Sequence, residues 1–201
     1  MSKLSVSIQA GGESKRMGTD KGLVLLSGKP LILHVIERVT SIADEMIIAC
    51  NDISGYAQFN LPIFPDIFPG LGALSGLYTA LASATHEYVA VVACDMIFVN
   101  AEMLKAQFQL LQDTGADCVV PVTSKGFEPF HAVYRRTVCR DAVKAALSDG
   151  KKRVDSWFGE VNFFAFSEEL ISRYDQDGKA FININTPGDL ATLEFIFRDL
   201  E

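Results

Sequence analysis

Apolar and polar positions alternate with two different periods along the chain. Leu4, Val6 and Ile8 recur at every second position, which predicts a strand over residues 4–9 with one apolar face. Residues 88–94 are almost continuously apolar, as in a parallel strand that is covered on both faces. Further strands are predicted over residues 46–50, 61–64, 116–122, 127–134, 161–166 and 180–184.

Helical patterns separate these strands. Behind Pro30, which suits the first turn of a helix, one apolar stripe is formed by Leu31, Val35, Val39 and Ile42. Helices are also predicted over residues 73–84, 100–113 and 138–147. A last helix is expected to begin at Pro187, with Thr186 as its N-cap and Asp189 completing a motif close to a capping box.

Alternation of strands and helices predicts an α/β protein with three layers, in which helices cover both faces of a mostly parallel sheet. The chain has no internal repeat and no low-complexity linker, so we expect one domain over residues 1–201. Ligands of open α/β sheets bind at the carboxyl ends of the strands. Candidate site residues are therefore those that follow Gln9, Cys50, Phe64 and Cys94.

Composition narrows the function classes. The 201 residues carry a formal net charge of −7, which argues against broad nucleic-acid binding. No apolar run approaches the roughly 18 residues that span a membrane, and the N-terminal residues lack the continuous apolar stretch of a signal peptide. We therefore expect a cytoplasmic protein with no membrane partner. The four cysteines form no CxxC pair, and Cys50, Cys94 and Cys118 are expected to be buried.

A Gly-rich loop follows the first predicted strand directly. The backbone N–H groups of Gly11 and Gly12 could cradle phosphate oxygens, and Lys15, Arg16 and Lys21 add positive charge to an otherwise acidic chain. The segment matches neither the P-loop nor the GxGxxG fingerprint. From the residues alone, a solvated turn with scattered basic side chains remains an alternative to a phosphate site.

Three polar side chains stand at the other predicted strand ends. Asp95 could hold Mg²⁺, which favours one or two carboxylates together with substrate phosphates, or it could cap the next turn. Asp66 could accept hydrogen bonds from the ring N–H and the amine of guanine, and Asn51 could bond a ribose or a base edge. Both are alternatively ordinary turn residues.

The segment AGGESKRMGTDK resembles the signature LAGGxSxRMGxDK of the molybdenum cofactor guanylyltransferases, with Gln9 in place of leucine. Cys94-Asp95-Met96 resembles their C-D-[MT]-P motif, in which Ile97 replaces the proline. The segment that begins at Asp66 is similar to D-x-x-x-x-G-P-L-x-G-L, with Ala73 in place of proline, and residues 183–190 match N-x-N-T-P-x-[DE]-L. Weaker likenesses at residues 128–134 and 150–154 extend the resemblance over nearly the whole chain.

The resemblance implies a Rossmann-like nucleotidyltransferase fold and an enzyme that transfers GMP from GTP to the terminal phosphate of molybdopterin, or of the molybdenum cofactor, releasing pyrophosphate. The N-terminal part would bind mainly GTP, and the C-terminal part mainly the pterin. The implied catalytic residues are Arg16, Lys21 and Asp95, and Asp95 would bind Mg²⁺. The implied GTP-binding residues are Gln9, Ala10, Gly11, Gly12, Lys21, Asn51, Asp66 and Asp95.

Pterin contacts are implied for His131, Arg153, Asn183 and Asn185. Physically, Arg153 could instead belong to a solvated basic cluster, and His131 could be a satisfied strand histidine. Transient contact with other molybdenum cofactor proteins is also expected.

Several other functions stay open at this point. The chain could be a cytidylyltransferase or a sugar-phosphate nucleotidyltransferase of the same fold, although the AGG sequence and Asp66 favour guanine. It could be a nucleotide-binding protein without catalysis, against which Lys21 and Asp95 argue. A glycosyltransferase is disfavoured because no DxD motif stands in the right place.

Overall fold

A computed structural model describes residues 2–10 and 20–198 of the chain. The strands are β1 (Leu4–Gln9), β2 (Leu25–Leu26), β3 (Lys29–Pro30), β4 (Glu45–Ala49), β5 (Ile63–Phe64), β6 (Tyr88–Ala93), β7 (Cys118–Thr123), β8 (Gly126–Phe127), β9 (His131–Arg135) and β10 (Phe163–Phe166). The α-helices are α1 (Leu31–Val39), α2 (Ile53–Tyr56), α3 (Ala73–Ser83), α4 (Ala101–Thr114), α5 (Arg136–Ser148), α6 (Glu168–Ser172) and α7 (Pro187–Arg198).

One sheet organises the described part of the chain. Its strands lie in the order β10-β7-β9-β6-β1-β4-β5, with β8 paired to β7, while β2 and β3 form a separate hairpin. Strand β9 is antiparallel to both β6 and β7, and the other strands on this path run in a common direction. The mostly parallel sheet predicted from the sequence is confirmed.

Helices cover both faces of this sheet. On one face, Val6 and Ile8 of β1 pack with Val35 of α1 and Leu104 of α4. On the other face, buried residues of β4 and β6 pack against α3, α5 and the fully buried Trp157. The period of two along β1 therefore separates two hydrophobic cores. The three-layer arrangement follows, and the chain has the predicted fold class.

Two strand predictions differ from the structure. Residues 180–184 form no strand: the N–H of Ala180 binds Asp175 Oδ2 at 2.9 Å and that of Ile182 binds the Lys179 carbonyl at 3.0 Å. The segment predicted over residues 127–134 is divided between β8 and β9 by a turn, which the His131 N–H closes on the Glu128 carbonyl.

Other predictions agree with the structure. Cys50, Cys94 and Cys118 are buried, and they form no disulfide. At the start of α7, the backbone N–H groups of Asn185 and Thr186 donate to Asp189 Oδ2, and the Asp189 N–H donates to Thr186 Oγ1. This reciprocal arrangement is the predicted capping box. Among the described residues, no helix has both the length and the apolar character needed to cross a bilayer.

Candidate active site

The carboxyl ends of four neighbouring parallel strands form one edge of the sheet. In the order β6, β1, β4, β5, these strands lead into Asp95, Ala10, Asn51 and Asp66. Because adjacent strands lie about 4.8 Å apart, the ends of β6 and β5 are separated by about 14 Å. The strand-end residues predicted from the sequence therefore lie along one edge, over a distance comparable to an extended nucleoside triphosphate.

At the β6 end, Lys21 joins two residues that are remote in the sequence. Its ammonium group forms an ion pair with the Asp95 carboxylate and donates a hydrogen bond to Asn185 Oδ1 at 2.7 Å. Asp95 is only 7% exposed, and a buried carboxylate without a partner would be costly. Lys21 compensates this charge, so the three side chains form a polar cluster at the edge of the sheet.

The short turn that carries Lys21 is held from both sides. Asp20 caps a 3₁₀ turn over Lys21–Leu23, and its carboxylate accepts hydrogen bonds from the Gly22 N–H and the Tyr56 hydroxyl. A Cβ at Gly22 would fall 2.5 Å from Tyr56 Oη and 3.1 Å from Cys94 Sγ, so only glycine permits this close packing.

Sequence reasoning did not identify Tyr56, which is fully buried at the end of α2. Burial raises the pKa of its hydroxyl well above the usual value, so the group stays protonated and able to donate to Asp20. Tyr56 stands in no motif, and an aromatic residue in an apolar segment is usually a core residue. Its role becomes evident only from the contact with Asp20.

At the other end of the edge, Asn51 and Asp66 form a reciprocal pair. Asn51 Nδ2 donates to Asp66 Oδ2 at 3.0 Å, and the Asp66 N–H donates to Asn51 Oδ1 at 2.8 Å. These bonds join the segments that follow β4 and β5. The pair fixes the Asp66 carboxylate while leaving it partly exposed at the sheet edge.

Gln9 lies between these two ends, on the last position of β1. Its side chain is on the sheet face that α3 covers, and an ideal Cβ at Gly76 of that helix would fall 2.6 Å from Gln9 Oε1. Within the described residues, Gln9 Nε2 is buried and has no hydrogen-bond partner. Gln9 thus lies near the predicted site, and its amide N–H groups donate no hydrogen bond within the described residues.

Of the residues implied to contact the pterin, Asn185 alone is placed beside Lys21 by the hydrogen bonds of the described chain. His131 has no exposed surface: its Nε2 accepts from the Asn100 N–H at 3.1 Å, and its ring lies 5.2 Å from that of Phe181. Burial lowers the pKa of His131 to about 4. Asn183 donates to the Phe181 carbonyl at 3.3 Å.

Arg153 lies at a separate, exposed cleft. It forms a 2.7 Å ion pair with Asp155 and lines a volume of about 430 Å³ together with Lys125 and Phe127. The resemblance implies a catalytic role for Arg16 and GTP contacts for Gly11 and Gly12, and all three lie outside the described residues.

The donor set can be tested for its fit to a divalent cation. Asp95 supplies one buried carboxylate at the edge of the sheet, and Asn185 supplies an amide oxygen to the same cluster. In residues 2–10 and 20–198, no three His, Cys, Asp or Glu side chains form a cage for a metal. Such a set fits an ion that also takes oxygen ligands from substrate phosphates, as Mg²⁺ does.

Comparison with known proteins shows the family of the chain. Residues 6–161 match the model of the MobA-like NTP transferase domain. The chain is 34% identical over 191 residues to a probable molybdenum cofactor guanylyltransferase of Natranaerobius thermophilus, with 93% of each chain covered. It is 34% identical over 188 residues to a molybdenum cofactor guanylyltransferase of Desulfosudis oleivorans, covering 93% of this chain and 92% of the relative.

A solved structure extends the likeness to three dimensions. Molybdopterin-guanine dinucleotide biosynthesis protein A from Archaeoglobus fulgidus superposes with a TM-score of 0.83 at 27% identity, covering 97% of this chain and 99% of that one. Sequence and structure therefore agree over nearly the full length. The chain belongs to the MobA-like NTP transferase family and is related along most of its length to the molybdenum cofactor guanylyltransferases.

Proposed function

We propose that this nucleotidyltransferase transfers GMP from GTP to the terminal phosphate of molybdopterin, with or without bound molybdenum. The observation that carries the proposal is the arrangement of the sheet edge. The Lys21–Asp95 ion pair stands at the end of β6, and the Asn51–Asp66 pair stands at the ends of β4 and β5, which lie two and three strand spacings away, or about 10 and 14 Å along the edge. A charged end and a base-reading end at this separation suit a nucleoside triphosphate.

Asp66 is the residue that we assign to the base. Its carboxylate can accept from the N1–H and the 2-amino group of guanine, two donors that stand side by side on one edge of the ring. Asn51 Nδ2 donates one hydrogen bond to this carboxylate, and Asn51 Oδ1 accepts a second from the Asp66 backbone N–H. Cytosine presents acceptors where guanine presents these donors, so the same carboxylate disfavours CTP.

Lys21 is the residue that we assign to the phosphates. The terminal phosphate oxygen of molybdopterin forms a bond to the α-phosphorus of GTP, and the bond from that phosphorus to the bridging oxygen breaks as pyrophosphate leaves. The attacking oxygen is already anionic, so positioning and charge stabilisation matter more than a general base. Lys21 supplies a fixed positive charge, and we propose that Arg16 and the N–H groups of Gly11 and Gly12 add to it.

Mg²⁺ is the cation that we propose for this site. Asp95 would hold it, and phosphate oxygens of the substrates would complete its ligands. When bound, the ion would neutralise phosphate charge near the reacting centre. The observed donor set, with one buried carboxylate, supports an ion that depends on substrate for its remaining ligands.

The pterin would bind on the C-terminal side of the chain. Arg153 and Lys125 line the exposed cleft beside the ring of Phe127, and Asp155, which pairs with Arg153, also lines it. An anionic bicyclic ligand could stack on the ring and bind Lys125, and it would compete with Asp155 for Arg153. Asn183 and Asn185 stay proposed contacts. His131 has no exposed surface in the structure, so we propose that it acts through the start of α4 rather than by touching the ligand.

The test is product analysis with the full chain, Mg²⁺, molybdopterin and either GTP or CTP. With GTP, but not with CTP, we expect pyrophosphate and a dinucleotide product that is identified by its mass. Preferential turnover of CTP would overturn the base assignment. Binding of GTP without release of pyrophosphate would instead indicate a nucleotide-binding protein without catalysis.

Asp95→Asn keeps the shape of the side chain and removes its charge, so we expect turnover to fall by at least about a hundredfold. Asp177→Asn is the matched control, because Asp177 pairs with Lys179 on the exposed surface. Equal activity of the two variants would contradict the role of Asp95.

A further inference from the structure

The Lys21 ammonium group contacts two oxygen atoms that would also suit a divalent cation. It pairs with Asp95 Oδ2 and donates a hydrogen bond to Asn185 Oδ1 at 2.7 Å. Carboxylate and amide oxygens are both ligands of hard divalent cations. The ammonium group therefore lies on the same pair of oxygens that a metal ion bound between Asp95 and Asn185 would use.

This contact is largely shielded from water and is held from both sides. The side chains of Lys21 and Asp95 are 17% and 10% exposed, so solvent ions screen their interaction only weakly. Asp20 caps the turn that carries Lys21, and Asp189 Oδ2 accepts a hydrogen bond from the Asn185 backbone N–H at 2.8 Å. The local backbone thus supports both ends of the Lys21 contact.

The ammonium group and a divalent cation exclude one another at these oxygens. Each needs the oxygen lone pairs, the ammonium group through N–H donors and the metal ion through direct ligation. If the metal ion used the other oxygen of Asp95 instead, its charge would repel the ammonium charge at close range in a mostly buried place. Metal binding therefore requires Lys21 to leave, and a displaced ammonium group needs a new anionic partner.

We infer that Lys21 competes with the divalent cation for Asp95 and Asn185, and that nucleotide phosphates relieve this competition by drawing the ammonium group away. The inference rests on the proposed function, because it takes GTP as the source of the phosphates. The metal and the nucleotide then bind cooperatively, and the coupling is reciprocal. The metal alone binds weakly, since nothing replaces Asp95 as the partner of Lys21.

Removal of the Lys21 charge should change two affinities in opposite directions. Methionine is an unbranched side chain of similar length without charge or N–H donors, so Lys21→Met leaves Asp95 and Asn185 free to bind a metal ion. We expect the affinity for the metal alone to rise by about tenfold, the value of one charge-assisted hydrogen bond. The affinity for the metal–GTP complex should fall by a similar factor, because its phosphates lose the ammonium group. General damage to the site would weaken both.

The experiment uses Mn²⁺, which takes octahedral oxygen ligands as Mg²⁺ does. Electron paramagnetic resonance of the free ion measures the binding of Mn²⁺ without nucleotide. Calorimetry measures the binding of the Mn–GTP complex without the acceptor. Each titration is carried out with the unsubstituted protein and with Lys21→Met, at low salt and at 0.5 M KCl, roughly, where the field of a distant charge is screened but a direct competitor still acts.

Three further variants locate the effect. Lys179→Met removes an exposed lysine that pairs with Asp177, and it should leave both affinities unchanged. Asp95→Asn, combined with Lys21→Met, should abolish the gain in Mn²⁺ affinity, because the gain depends on that carboxylate. Lys21→Gln removes the charge but keeps a donor for Asp95, so it gives the same test if Lys21→Met fails to fold.

Equal affinity of the unsubstituted protein and Lys21→Met for Mn²⁺ alone would overturn the inference. It would also be overturned by a gain that disappears at high salt or that persists without the Asp95 carboxylate. Failure of the unsubstituted protein to bind Mn–GTP would instead overturn the proposed function, and the titrations with Mn²⁺ alone would still show whether Lys21 competes with the metal.

Discussion

Protonation of His131 should destabilise the fold in mild acid. The side chain lies in β9 with no exposed surface, and its Nε2 accepts a hydrogen bond from the Asn100 N–H at the start of α4. Burial lowers the pKa of His131 to about 4, although a backbone hydrogen bond and the charge of Asp175 both act to raise it. The imidazole is therefore neutral in the folded protein at pH 7, as its role as an acceptor requires.

The sign and size of the effect follow from linkage. The ordinary histidine pKa of 6.5 applies to the unfolded chain, so between pH 6.5 and about 4 the unfolded state binds more protons than the folded state. The free energy of unfolding must then fall as the pH is lowered through 6.5, and this loss levels off below about pH 4. The full shift corresponds to about 3 kcal/mol, of which about 2 kcal/mol is lost at pH 5.

The assay is urea unfolding of the unsubstituted protein and of the His131→Gln variant, each at pH 7.5 and at pH 5.0. The Gln Oε1 can replace Nε2 as the acceptor of the Asn100 N–H, and it does not titrate. Between pH 7.5 and pH 5.0, we expect the free energy of unfolding of the unsubstituted protein to fall by about 2 kcal/mol more than that of the variant. The contributions of the other titrating groups cancel in this difference. The His86→Gln variant is the control for the loss of a histidine elsewhere in the chain. If the free energy of unfolding fell equally in the unsubstituted protein and in His131→Gln, the reasoning would be refuted.

Two further predictions concern the support of Lys21. Gly22→Ala should lower the free energy of unfolding by about 1–3 kcal/mol in urea titrations, because the new methyl group would clash with Tyr56 Oη and Cys94 Sγ. A variant as stable as the unsubstituted protein would contradict this close packing. Asn185→Ala removes an acceptor from the Lys21 ammonium group and should reduce kcat/KM for GTP by roughly fivefold, the equivalent of about 1 kcal/mol, with an unchanged melting temperature. Unchanged kinetics would exclude a contribution of this hydrogen bond to turnover.

Much of the fold was predictable because local patterns and tertiary packing agree. The period of two along β1 matches its burial between two cores, and Asn100 caps α4 by accepting from the Met103 N–H at 2.9 Å. The position of the candidate site was also predictable, since ligands bind where parallel strands end. Asp95, Asn51 and Asp66 indeed stand at strand ends along one edge of the sheet.

The wrong strand predictions have physical causes. Ala180 and Ile184 are both buried, but they pack into different cores, so their apolar character reflects loop packing without strand pairing. Between β8 and β9, Pro129 cannot donate to a neighbouring strand, and the chain turns there. Hydrophobic pattern alone does not distinguish a buried loop from a buried strand.

The contacts that position Lys21 could not be read from local sequence. Asn185 lies 164 residues away from Lys21, and the hydrogen bond between them depends on how the segment before α7 returns to the sheet edge. The bond from Tyr56 to Asp20 spans 36 residues and involves an aromatic residue outside every motif. Motifs indicated the candidate chemical groups, whereas the residues that hold them in place became evident only in three dimensions.

The ion pair of Lys21 and Asp95 explains why residues that touch no substrate should still affect the site. A buried carboxylate in an acidic chain needs a nearby positive charge, and Lys21 supplies it. The backbone position of Lys21 depends in turn on the Asp20 cap, the Tyr56 hydroxyl and the space that Gly22 leaves. A change that shifts this turn therefore disturbs the phosphate end of the proposed site through Lys21, while the Asn51–Asp66 pair at the base end keeps its own hydrogen bonds.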